Sequence, residues 1–105
     1  MKLLALSLLL ANSATAIAHE MSQYQPLVYE NSIGIRVAPE LLNKEHLDNV
    51  VHVLSYYRVK CKRTAPMKLL IDSSITRETL WNFTTKANDA QWLKEHPIEL
   101  GAKCT

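Results

Sequence analysis

The strongest periodic signal in the chain lies near its middle, where Leu47, Val50, Val51, Leu54 and Tyr57 recur at the three-and-four spacing of one helix face. Pro39 suits a first helical turn, so the pattern predicts a helix over residues 40–60. Glu45, Asp48, Asn49, His52 and Arg58 fall off the apolar stripe and are expected to face water. Arg58, Lys60, Lys62 and Arg63 crowd the end of that helix, where unpaired carbonyls favour positive charge, and Thr64-Ala65-Pro66 then punctuates the chain.

Two further helices are expected downstream. Thr76 is placed to cap a helix running to about Ala87, with Ile75 and Leu80 as a hydrophobic staple and Leu80, Phe83 and Ala87 as its inner face. Asp89 caps a shorter helix through Trp92 and Leu93, which Pro97 ends. Met67 to Ile71 fits either a helical turn or a short buried strand, and its helix-forming composition tips the reading slightly to helix. Upstream, Leu27-Val28-Tyr29 and Ile33-Gly34-Ile35-Arg36-Val37 flank Glu30-Asn31-Ser32, a pattern that fits a short β-hairpin over 27–37 or an extended segment lying across helices. Residues 19–26 are polar and aperiodic and read as a mobile lead-in. The expected fold is therefore mainly α, with three to four helices in a small single domain.

The N-terminus changes the size and the address of that domain. Met1-Lys2 supplies a positive start, Leu3 to Leu10 an apolar run broken only by Ser7, and Ala11 to Ala18 a small-residue tail, the three zones of a secretory signal. Ala16-Ile17-Ala18 favours cleavage before His19, while Ala14-Thr15-Ala16 competes and would leave Ile17 first. The apolar run falls far short of the ~20 residues needed to cross a bilayer, and no later segment is long and apolar enough to do so. Residues 1–18 are thus expected to be removed and residues 19–105 to work in the periplasm or outside the cell.

Of 12 basic and 10 acidic residues, only Lys2 lies in the leader, so the remaining chain is almost neutral and lacks the basic excess of a nucleic-acid binder. Cys61 and Cys104 would meet oxidising conditions and are expected to form one intramolecular disulfide. Closing so long a loop is worth about 4 kcal/mol in the chain-entropy account, comparable with the whole stability of a small domain. Neither cysteine belongs to a C-x-x-C pair, which argues against redox catalysis and zinc.

Little in the chain suggests chemistry. His19, if it became the first residue, could chelate copper with the free α-amine, but no spacing brings Met21 or Met67 to it. His46 and His52 are six apart and lie on different faces of a helix, so they cannot grip one ion together. Ser73-Ser74 lacks the strained elbow of a serine nucleophile. The reading is a protein without a cofactor or catalytic set. Its best interaction candidates are the basic residues Arg58, Lys60, Lys62 and Arg63 together with the neighbouring Tyr56. Tyr57, Trp81 and Trp92 are of the kind enriched at protein contacts, although a small domain also needs such residues for its core.

The stretch Gln91-Trp92-Leu93-Lys94-Glu95-His96-Pro97-Ile98-Glu99-Leu100, followed by Cys104, resembles the aromatic-x-x-x-His-Pro-x-Glu segment with a nearby cysteine found in small envelope proteins that plasmids use for entry exclusion. Members of that family typically carry a lipid-attachment cysteine just after the signal, and here none stands in that place. The resemblance implies an envelope protein linked to conjugation that acts by contact with a protein partner. Size and layout resemble small periplasmic immunity proteins about equally. The expected function is accordingly non-enzymatic binding of an envelope protein, as an accessory or exclusion factor, with an immunity or inhibitor role and copper carriage through His19 as the alternatives.

Overall fold

The computed structural model describes residues 20–99 and Cys104; the expected leader and His19 lie outside the described residues. Strands β1 (Met21–Gln23), β2 (Leu27–Glu30) and β3 (Gly34–Val37) come first, followed by a 3-10 turn over Pro39–Leu41 and helix α1 (Lys44–Tyr56). Strands β4 (Cys61–Ala65) and β5 (Lys68–Asp72) then precede α2 (Arg77–Ala87) and α3 (Ala90–Glu95). The architecture is α+β, which overturns the mainly α expectation: β5 is the centre of an antiparallel sheet ordered β1-β5-β4, and β2 and β3 form a separate hairpin.

Where the reading failed, the cause is chain pairing. Residues 67–71, tipped to helix, instead lie almost wholly in β5, because Met21–Gln23 and Cys61–Ala65 supply hydrogen-bond partners on both edges. Leu69 and Ile71 then point into the core at the two-residue period of a strand. The lead-in taken as mobile is in fact β1 followed by Tyr24 and Pro26, which are fully buried. Of Thr64-Ala65-Pro66, Pro66 alone lies in the β4–β5 turn, while Thr64 and Ala65 end β4, with a register shift between Arg63 and Ala65. The hairpin lies within 27–37 with Leu27 opposite Val37 and Tyr29 opposite Ile35. Gly34 takes φ of 92°, a left-handed conformation that favours glycine.

Helix α1 is shorter than its apolar pattern suggests. It starts at Lys44 because the Asn43 side chain accepts from the His46 backbone N–H at 2.8 Å. At its end Arg58 takes φ of 59°, and Arg58 N–H bonds Ser55 C=O at 3.1 Å while Val59 N–H bonds Leu54 C=O at 2.9 Å. This is a Schellman closure. Glycine is the residue that usually signals such a stop, and its absence let the predicted helix run to residue 60. The buried face is also rotated from the predicted stripe: His46, Leu47, Val50, Val53 and Leu54 are inside, Val51 is partly covered and Tyr57 is exposed.

The core is built where α1 lies against the sheet and α2, joining Leu47, Val50, Val53 and Leu54 to Leu69, Ile71, Phe83 and Ala87. Helix α2 is capped by Thr76, whose hydroxyl accepts from Thr79 N–H, and α3 by Asp89, whose carboxylate accepts from the amides of Gln91 and Trp92. Inside, the Thr84 hydroxyl lies 2.9 Å from Leu80 C=O, accepts from Leu27 N–H at 3.2 Å and shares a hydrogen bond of 2.7 Å with the Tyr24 phenol. The Tyr24 oxygen is in turn hydrogen-bonded to His46 Nε2 at 3.0 Å. One chain of bonds thus ties β1, the hairpin, α1 and α2. Burial pushes the Tyr24 phenol well above its ordinary range and pulls the His46 imidazole down, the latter opposed by the Asn88 side chain.

Cys61 and Cys104 form the disulfide, across a sequence separation of 43. Replacing both by serine should lower the unfolding free energy by about 4 kcal/mol, read as a fall in the urea midpoint. The His46 network predicts acid sensitivity of a definite sign. A pKa held below the ordinary value of ~6.5 favours the neutral ring in the folded chain, so that contribution is complete above ~6.5 and fades as pH falls beneath it. Urea midpoints compared on either side of this range should therefore drop more for the natural protein than for His46→Gln; equal drops would remove His46 as the cause.

Candidate functional site

Beside the Arg58 turn, three helix ends bring their aromatic residues together. Helix α1 contributes His52 and Tyr56 with Tyr57 as its cap, α2 contributes Phe83 and Lys86, and α3 contributes Trp92 with His96 as its cap. His52 and Tyr56, and likewise Trp92 and His96, are four apart and so share a face of their helix. Packing of α1 on α3 turns these two faces toward each other.

The rings form a continuous ledge. Tyr57 stacks on Phe83 with centroids 5.4 Å apart and on Trp92 at 6.1 Å, each at 22°. Tyr56 stands edge-on to Tyr57 at 5.1 Å, to His96 at 5.2 Å and to Trp92 at 5.4 Å. Trp92 and His96 lie nearly parallel at 4.2 Å. His52 Nε2 donates to His96 C=O at 2.7 Å, and His96 Nδ1 donates to Trp92 C=O at 2.8 Å, so both bonded ring nitrogens carry hydrogen. The Lys86 ammonium sits 5.9 Å from the Tyr57 centroid and 5.8 Å from that of Trp92, with Asn82 Oδ1 as its hydrogen-bond acceptor. Pairs of this kind contribute roughly 0.5–1.5 kcal/mol each beyond burial. Even so, Tyr56 and Tyr57 remain 41% and 43% exposed.

Tyr56 and Tyr57 form a ridge between two depressions. On the Tyr57 side lies a shallow one of about 440 Å³ with Glu78, Thr79 and Asn82 on its walls. On the Tyr56 side a groove of about 540 Å³ is lined by Arg58, Val59, Lys60, Pro97 and Ile98, with the disulfide in its wall. Ser55 also lines the groove; its hydroxyl oxygen is buried, with no hydrogen-bond partner among the described residues. Arg58 is the one non-glycine among the described residues with positive φ, a conformation that costs an ordinary side chain about 1–2 kcal/mol.

The four basic residues expected to act as one patch are separated by the strand they enter. They do not crowd a helix end: Lys62 and Arg63 belong to β4, so their side chains alternate across the sheet. Arg63 shares the face of Cys61 and is committed to structure, with Nη1 3.0 Å from Asp48 Oδ1 and Nη2 2.8 Å from Pro66 C=O. Hydrogen bonds from Lys44, and then from Arg63, hold the Asp48 carboxyl below its ordinary range. Lys62 points to the outer face and Arg58 and Lys60 face the groove; among the described residues none of these three has an acidic partner. Of the sequence candidates, then, Tyr56, Arg58 and Lys60 come together, with the Cys61–Cys104 bridge beside them.

His52, Phe83, Lys86 and His96 were not foreseen at this site. The four-residue spacings of His52 with Tyr56 and of Trp92 with His96 were visible in the sequence, but their convergence depends on how α1 and α3 pack. Among the described residues no group of three His, Cys, Asp or Glu side chains is arranged to hold a metal ion. No helix among them is long and apolar enough to cross a membrane. No family model, curated protein or solved structure matches the chain.

The division of the basic residues can be checked by stability alone. Arg63→Gln should lower the unfolding free energy by about 1 kcal/mol, since it releases Asp48 and the carbonyls of Ala65 and Pro66 at a partly exposed position. Lys62→Gln should stay within about 0.5 kcal/mol of the natural protein. Urea titration of both variants reads the difference.

Proposed function

We propose that this is an exported, non-catalytic protein that works by docking another protein of the cell envelope on its aromatic ledge. The observation that carries the reading is the exposure of Tyr56 and Tyr57 on a support of Phe83, Trp92 and His96 that already holds their rings in place. Rings locked before contact lose little conformational entropy on docking, and Tyr, Trp and Arg are the side chains that most often anchor protein interfaces. The disulfide adds to this preorganisation, because it ties the stretch after α3 to β4 directly beneath the groove.

The segment that resembles conjugative exclusion proteins, residues 91–104, supplies Trp92, His96, Pro97 and Cys104 to this region. A role in exclusion during conjugation is the specific form of the proposal that this supports. An immunity factor would use the same surface in the same way, and the identity of the partner separates the two.

A photo-crosslinking residue placed at position 57 in producing cells tests the reading. One discrete envelope adduct should form, weaken strongly when Tyr56 is also changed to alanine, and be absent when the probe sits at exposed Thr64 on β4. No adduct at 57 above that at 64 would defeat the proposal.

A further inference from the structure

We infer that the groove beside Tyr56 takes an acidic peptide segment of the docked partner, with Arg58 as the residue that reads its carboxylate. The inference rests on the docking role proposed above and adds the chemistry of what is docked. Two independent features meet in this groove, and folding does not account for the choice of residue in either.

The first is the backbone at Arg58. A left-handed residue closing a Schellman motif is the place where glycine, or asparagine, is favoured, and any other side chain is held there against its own conformational preference. Strain of this kind concentrates at functional positions, because selection for stability alone would relieve it. The second is charge: Arg58 and Lys60 both line the groove without an acidic partner among the described residues.

The lining also limits what can bind. Val59, Pro97, Ile98 and the disulfide make one part of the groove apolar, while Arg58 and Lys60 supply donors. A carboxylate next to an aliphatic or aromatic side chain satisfies both parts, and a guanidinium can hold a carboxylate through two parallel bonds. Glu99 lies on the same lining and repels a second negative charge there, so the preferred segment carries its carboxylate on the Arg58 side only. A membrane surface is a poorer match, since it would draw on a wide field of basic residues rather than two cations in a groove that also carries an acid.

The test uses fluorescence polarisation at low ionic strength, with a short labelled peptide of alternating Asp and Leu and its Asn-for-Asp counterpart as probes. The Asp peptide should bind the natural protein at least about tenfold more tightly than the Asn peptide, the worth of one charge-assisted bond. Arg58→Gly should weaken Asp-peptide binding about tenfold and yet raise the melting temperature by a few degrees, on the order of 4 °C, by relieving the turn. Lys62→Gln, on the outer face of β4, should leave binding unchanged. A purely structural Arg58 would give unaltered binding in Arg58→Gly, and that result overturns the inference, as does equal binding of the Asp and Asn peptides. Tighter, Arg58-dependent binding to phosphatidylglycerol vesicles than to the Asp peptide overturns it too. The docking role fails separately: a Tyr57 adduct with unaltered peptide binding in Arg58→Gly sinks the groove alone, whereas loss of any adduct sinks the role on which it stands.

Discussion

The chain reversal from Tyr57 to Val59 is the constraint on which most of the structure depends. By ending α1 after Tyr56, it lets Val59 fold back onto Leu54 and the core, and sends Cys61 into the sheet opposite Ile71. The same turn leaves Tyr56 and Tyr57 at the helix end, where α2 and α3 can place rings against them. Had the helix continued for even one more turn, β4 would lose its register with β5, Cys61 would leave its place beside Cys104, and the ledge would have no edge. A single left-handed residue therefore determines the topology of the core and the shape of the surface together.

Around that turn the fold distributes its polar groups in two ways. The Tyr24, His46 and Thr84 chain is buried, and each member satisfies another that comes from a different element. Networks of this sort specify an arrangement because any shift leaves a buried donor or acceptor unpaired. At the groove the opposite holds, since Arg58 and Lys60 line it with no acidic partner among the described residues. The contrast within so small a molecule is the physical basis for assigning the first set to stability and the second to recognition.

The disulfide belongs to both. Cys61 is buried among the core side chains, while Cys104 is only half-covered and forms part of the groove wall. Joining them fixes the chain after α3 near β4, on the side of the molecule where the ledge ends. A small domain with few buried apolar residues gains disproportionately from such a link, and here the same bond also holds one wall of the candidate site in position.

Local signals in the sequence determined those features that depend on near neighbours. Thr76 and Asp89 could cap because a short side-chain oxygen reaches an amide two or three residues on, and the α2 and α3 helices follow from those caps and from Pro97. Local alternation made the hairpin over 27–37 legible as one of two alternatives, and the pairing of Cys61 with Cys104 followed from the chain's having two cysteines. What the tertiary structure decided are the features that need a distant partner. Leu69 and Ile71 became a strand because β1 and β4 flank them, Tyr24 left an apparently loose segment because its hydroxyl bonds His46 and Thr84, and Lys62 parted from Arg63 because a pleated strand sends neighbours to opposite faces. The aromatic ledge is the extreme case: its rings come from three helices, and their meeting depends on packing geometry that one-dimensional periodicity does not encode.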